Sequence, residues 1–152
     1  MPTFKDDFIE ANGIRQHYWR TGNRTKPALV LCHGITDNGL CWTPVARALE
    51  ADYDVIMLDA RGHGLSDAPE SGYATADLAA DLAAFIHALD LEKPAVLGHS
   101  MGGATVSYTD ALPHTAHHRR DGEGRHRDAP NGQRSCQNQS QHPGRPHRAS
   151  RP

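Results

Sequence analysis

Large apolar side chains all but vanish after residue 108. Residues 109–152 hold one large aliphatic, Leu112, and no lysine, but 8 Arg, 6 His and 5 Pro. A segment with so little apolar surface cannot offset the entropy lost on ordering, so the sequence predicts a disordered Arg/His/Pro-rich tail over 109–152. Cysteine is scarce too. Cys32, Cys41 and Cys136 are odd in number and lack metal-ligand spacing, which argues against a disulfide framework. No apolar run approaches the roughly 18 residues of a membrane span, and no basic-then-apolar leader opens the chain. A reduced, cytoplasmic setting without a membrane partner is therefore expected. The net charge of −2 joins two opposed halves: 8 Lys or Arg against 14 acids over 1–108, and 8 Arg against 4 acids over 109–152.

Residues 1–108 carry the material of a folded domain. Thr3 to Glu10 and Ile14 to Arg20 flank Asn12-Gly13, the strongest short hairpin signal. Ala28 to Cys32 and Val55 to Leu58 are continuous apolar runs, as expected of strands buried on both faces. Between them Trp42 to Glu50 reads as a helix, with Trp42, Val45, Ala46 and Leu49 on one face. Thr75 suits a helix N-cap. Leu78, Leu82, Phe85, Ile86 and Leu89 then form one apolar stripe, and Lys93-Pro94 breaks the helix before the apolar run Ala95 to Leu97. Alternating strands and helices predict an α/β fold, a mostly parallel sheet with helices on both faces, whose ligands gather at the strands' carboxyl ends.

Three loops fall at those ends. His33-Gly34-Ile35 follows the first apolar strand. Asp59-Ala60-Arg61-Gly62-His63-Gly64-Leu65-Ser66 follows the second. Gly98-His99-Ser100-Met101-Gly102-Gly103 follows the third. The last has the G-x-S-x-G pattern of a nucleophile elbow, in which a strained turn lifts a serine hydroxyl clear of the sheet.

In order and spacing, these three loops make residues 3 to about 106 resemble the N-terminal half of an α/β-hydrolase-fold protein of the serine-nucleophile branch. The resemblance implies that Ser100 attacks an acyl carbonyl, and that the backbone N–H groups of Ile35 and Met101 form the oxyanion hole. It implies a small-molecule substrate with an ester or other acyl-type bond, and no cofactor or metal. Members with an aspartate nucleophile, such as epoxide hydrolases and haloalkane dehalogenases, are disfavoured by the serine at 100. His33 and His99 read as packing or hydrogen-bonding groups inside their loops. Asp59, Arg61 and His63 read as loop scaffold, and Trp42 as core.

The family order is serine, then acid, then histidine, the last two on loops after later strands. After Val106 no run of four apolar residues exists in which to place such a strand. The fold is thus expected to be incomplete, with an opening hairpin, three buried parallel strands and the C-terminal strands missing. No triad acid or histidine can be identified, because Asp110, Asp121, His114, His117 and His118 lie in an unanchored segment that cannot hold a fixed catalytic geometry. The chain is therefore expected to be inactive. The tail's composition is what a GC-rich gene spells when read out of frame. Regrouping codons for Leu112 to Asp121 after discarding one base permits Tyr-Pro-Thr-Leu-Leu-Thr-Thr-Ala-Val-Met, which suits a helix end leading into an apolar strand. A frameshift between about Val106 and Leu112 is the expectation.

The alternative is a non-catalytic fragment whose basic tail binds nucleic acid or metal. Against nucleic acid, the tail lacks lysine and dilutes its arginines with acids and prolines. Against metal, His114, His117, His118, Cys136, His142 and His147 are irregularly spaced.

Overall fold

The computed structural model describes residues 4–111, which form five strands and three helices. Strand β1 (Lys5–Ala11) and β2 (Ile14–Arg20) pair antiparallel across Asn12 and Gly13. Both turn residues have positive φ, 53° and 75°, as a two-residue hairpin turn compatible with strand twist requires. Strands β3 (Ala28–Cys32), β4 (Asp54–Leu58) and β5 (Ala95–Gly98) are parallel, and the sheet order is β1-β2-β4-β3-β5. The sheet is mixed, with β1, β3, β4 and β5 running in one direction and β2 opposed to them. The hairpin supplies one antiparallel pairing internally and a second where β2 meets β4.

The two unbroken apolar strands feed two cores, as period-2 alternation dictates. Val30, Cys32, Ile56 and Leu58 point to one face and pack with Tyr18, Leu82 and Phe85. Leu29, Leu31, Val55 and Met57 point to the other and pack with Ala46. Helix α1 (Thr43–Leu49) covers the second face, preceded by a 3-10 turn over Gly39–Trp42. The single helix expected over 42–50 is thus split. Pro44 sits in the first turn of α1, where its missing N–H costs nothing. Trp42 is partly buried against this core.

Helices α2 (Thr75–Ala88) and α3 (Met101–Ala111) pack on the first face and on each other. The N-cap of α2 is Ala74 rather than Thr75. The Asp77 carboxylate accepts the Ala74 N–H at 2.9 Å, and that back-bond from the third helical position places the cap at 74. Leu78, Leu82 and Phe85 of the predicted stripe are buried, and Ile86 and Leu89 pack at its margin.

Strand β5 differs from its parallel neighbours. Among the described residues it pairs only with β3, and Leu97 is 44% exposed. Of the three strands expected to be buried, β3 and β4 are, whereas β5 is an uncovered edge. Helix α3 continues to Ala111, past the expected boundary at 108. The rest of the expected disordered tail lies outside the described residues.

Candidate active site

Parallel pairing puts three strand ends at one level. Cys32 of β3 registers with Leu58 of β4 and with Gly98 of β5. The loops that follow therefore leave the sheet side by side, and the geometry of each follows from what its glycines permit.

The elbow turns at Ser100, a non-glycine residue with φ of 52°, a left-handed conformation that costs a serine on the order of 1–3 kcal/mol and must be held by its surroundings. Gly98 and Gly102 make it possible. A Cβ at Gly98 would fall 2.3 Å from the Gly102 carbonyl, and one at Gly102 would fall 2.2 Å from the Cys32 carbonyl oxygen. The backbone is stitched to the end of β3: His99 N–H donates to the Cys32 carbonyl at 3.0 Å, and Gly102 N–H to the His33 carbonyl at 3.1 Å. Ser100 is exposed, and among the described residues no group hydrogen-bonds its Oγ. Met101 opens α3, so its N–H has no partner within the helix and stands at the positive end of the macrodipole.

The loop after β3 lies against this elbow. A Cβ at Gly34 would sit 3.1 Å from His99 Nδ1 and 3.6 Å from Ser100 Cβ. Ile35 is 67% exposed, and its N–H has no backbone acceptor among the described residues. His33 is buried, with Nδ1 at 2.7 Å from the Gly34 carbonyl and Nε2 accepting the Ala60 N–H at 3.0 Å. Those two bonds define a neutral ring with its proton on Nδ1. Burial pushes its pKa below the ordinary value.

The loop after β4 is organised around the buried Asp59. Its carboxylate accepts the Gly39 N–H at 2.6 Å, the Leu65 N–H at 3.0 Å and His17 Nδ1 at 2.8 Å. Gly64 must be glycine, since a Cβ there would lie 2.0 Å from an Asp59 oxygen. Arg61 forms a buried bidentate pair with Asp81 of α2, at 2.5 and 2.6 Å, and donates to the Gly72 carbonyl. The hydrogen bonds to Asp81 raise the pKa of Arg61. These residues brace the loops from below.

His17, Gln16 and Asp81 are buried polar groups that sequence reasoning missed. Nothing in the β2 sequence Ile14–Arg20 distinguishes an inward His17 from a solvated one; only the later Asp59 could have suggested its partner. Beside the elbow, Cys41, Trp42, Pro44, Val45 and His99 line a shallow apolar depression. Burial pushes the Cys32 thiol up to about 12, so it is inert at the end of β3. Among the described residues no cluster of His, Cys, Asp or Glu could hold a metal ion, and no helix is long and apolar enough to cross a membrane. The tail histidines, Asp121 and Cys136 lie outside the described residues.

A family model for the alpha/beta hydrolase fold matches residues 27–112. The chain belongs to the α/β-hydrolase family. Its relatives include the N-formylmaleamate deformylase of Pseudomonas putida, 47% identical over 95 residues, covering 62% of this chain and 35% of that protein. Mouse epoxide hydrolase 4 is 36% identical over 97 residues, covering 62% of this chain and 27% of that protein. The crystal structure of E-2-(acetamidomethylene)succinate hydrolase superposes with a TM-score of 0.68 at 32% identity, covering 72% of this chain and 40% of that one. The chain thus spans about a third of the length of the curated relatives it matches.

Proposed function

We propose that this chain carries the nucleophile half of a serine hydrolase that cleaves an ester or other acyl-type bond. Ser100 is the nucleophile in this reading. The N–H groups of Ile35 and Met101 stabilise the oxyanion that forms when Ser100 attacks the carbonyl carbon. The observation that carries the reading is the left-handed Ser100 between two glycines whose missing side chains let α3 pack onto the end of β3. A strained exposed serine beside unpaired N–H donors has no structural role to explain its conformation. The deformylase relative acts, by its name, on a formyl group, which is itself acyl. Epoxide hydrolase relatives share the scaffold, but a serine at position 100 points to acyl transfer.

Catalysis further needs a base to take the Ser100 proton and an acid to orient that base. No described histidine hydrogen-bonds Ser100, and the 152-residue chain is proposed to be inactive for that reason, its tail being read out of frame. The nucleotide sequence across codons 100–152 should show a continuous second frame encoding a further apolar strand, an acid and a histidine; an early stop in that frame would refute the frameshift. An activated phosphonate should label Ser100 of the frame-restored protein, with no signal in Ser100→Ala and none in the 152-residue chain. Labelling of the 152-residue chain would show that the site assembles without the missing partners. No labelling of the restored protein would remove Ser100 as nucleophile.

A further inference from the structure

His33 and His63 stack edge to face, with ring centroids 5.0 Å apart, and reach two successive carbonyls of the loop after β3. His33 Nδ1 is 2.7 Å from the Gly34 carbonyl, and His63 Nε2 is 2.8 Å from the Ile35 carbonyl. The second nitrogen of each ring is tied to the loop after β4. His33 Nε2 accepts the Ala60 N–H at 3.0 Å, and His63 Nδ1 lies 2.9 Å from the Arg61 carbonyl.

In a trans peptide the C=O and N–H point in opposite directions. The Gly34 carbonyl and the Ile35 N–H belong to one peptide unit. That carbonyl is held by His33 Nδ1 and by the Asp37 N–H at 3.1 Å, so the Ile35 N–H must point the other way. The next peptide, from the Ile35 carbonyl to the Thr36 N–H, is held by His63. Ile35 therefore has both flanking peptides pinned, although its side chain is exposed.

We propose that His33 and His63 are positioning residues, a two-imidazole clamp that sets the direction of the Ile35 N–H toward the oxygen of the carbonyl whose carbon Ser100 attacks. The clamp rests on the reading of Ile35 as an oxyanion donor given above. His63 faces two carbonyls, and the tautomer with its proton on Nε2 donates to that of Ile35. The titratable groups acting on the His33 ring are His63, Asp59 and Asp37.

Magic-angle-spinning NMR of the full chain, labelled in histidine nitrogens and backbone carbonyls, tests the clamp even if the protein self-associates. The His33 ring should carry its proton on Nδ1 with a bare Nε2, and His63 Nε2 should show a coupling across its hydrogen bond to the Ile35 carbonyl. His63→Ala should displace the Ile35 carbonyl signal. His63→Gln, whose amide nitrogen replaces Nε2, should restore the carbonyl position. His33→Asn should likewise keep the Gly34 carbonyl signal that His33→Ala loses. A proton on His33 Nε2, or an Ile35 carbonyl with no coupling to His63 Nε2 in the unsubstituted chain, overturns the clamp, and neither readout needs a variant to fold. Ser100→Ala should leave all these signals unchanged, so a failed clamp and a failed nucleophile are told apart.

Discussion

Gly102 and Cys32 touch so closely that a single added methyl group cannot fit between them: a Cβ at 102 would lie 2.2 Å from the Cys32 carbonyl oxygen. The elbow helix is therefore seated on the backbone of β3, and the nucleophile loop is hydrogen-bonded to the start of the loop bearing Ile35 through the Cys32 and His33 carbonyls.

Gly102→Ala should be strongly destabilising, because the clash is with backbone and can be relieved only by lifting α3. A loss of about 3 kcal/mol or more is expected, at the upper end of overpacking costs. Gly103→Ala is the control. A Cβ there meets nothing nearer than the Gly98 carbonyl oxygen at 3.4 Å, and replacing a helical glycine by alanine gains roughly 0.5–1 kcal/mol. Urea denaturation of the two variants should shift the midpoint in opposite directions.

The Arg61–Asp81 pair ties the loop after β4 to α2, and Asn12 of the hairpin turn donates to the same carboxylate at 2.7 Å. Asp81→Ala would leave a buried guanidinium unpaired, for which a loss of about 3–5 kcal/mol is expected. Arg15→Gln removes a 4.0 Å ion pair between half-exposed side chains and should change stability by less than about 1 kcal/mol. Equal effects in a denaturation series would contradict the assignment of Asp81 as the brace.

Burial lowers the pKa of His33 below its ordinary 6.5, which has a definite sign in stability. Between the depressed native value and 6.5 the unfolded chain binds more protons, so acidification favours unfolding. The contribution is fully present above pH 6.5 and is lost as pH falls through the native pKa. Unfolding free energies of the parent chain and His33→Asn, measured from pH 8 to pH 5, should differ progressively in that direction. A difference independent of pH would mean that His33 stays neutral in both states or is not buried.

The strand and helix order was legible because the apolar runs at 28–32 and 55–58 and the stripe at 78–89 are unambiguous periodic signals. The hairpin turn was legible in Asn12-Gly13, since few other pairs accept two positive φ values. What escaped was polar burial. Gln16 and His17 sit fully buried in β2, yet their partners Asp81 and Asp59 are distant in sequence, and no local pattern announces a buried amide or imidazole. The loop glycines could be read as turn formers, but not that Gly64 makes room for the Asp59 carboxylate. The clamp of two histidines on successive carbonyls was hidden for the same reason: each ring is placed by the register of β3 against β4, which no local pattern records.

Strand β5 presents the last consequence. Its outer edge has no pairing partner among the described residues, and Ala95 and Leu97 are exposed beside it. The strand itself has no charge to discourage pairing, the nearest being Lys93 before Pro94. Unpaired N–H and C=O groups on a flat apolar edge are a template for another chain, so the 152-residue protein should self-associate during refolding. Leu97→Lys places a charge on an already exposed position and should raise the soluble fraction, as gatekeeper residues do, with little change in the thermal midpoint of the soluble material. Light scattering of both proteins at matched concentration measures this. A monodisperse parent monomer that melts cooperatively would show that the edge is covered by the chain's own remaining residues, and the self-association argument would then be wrong.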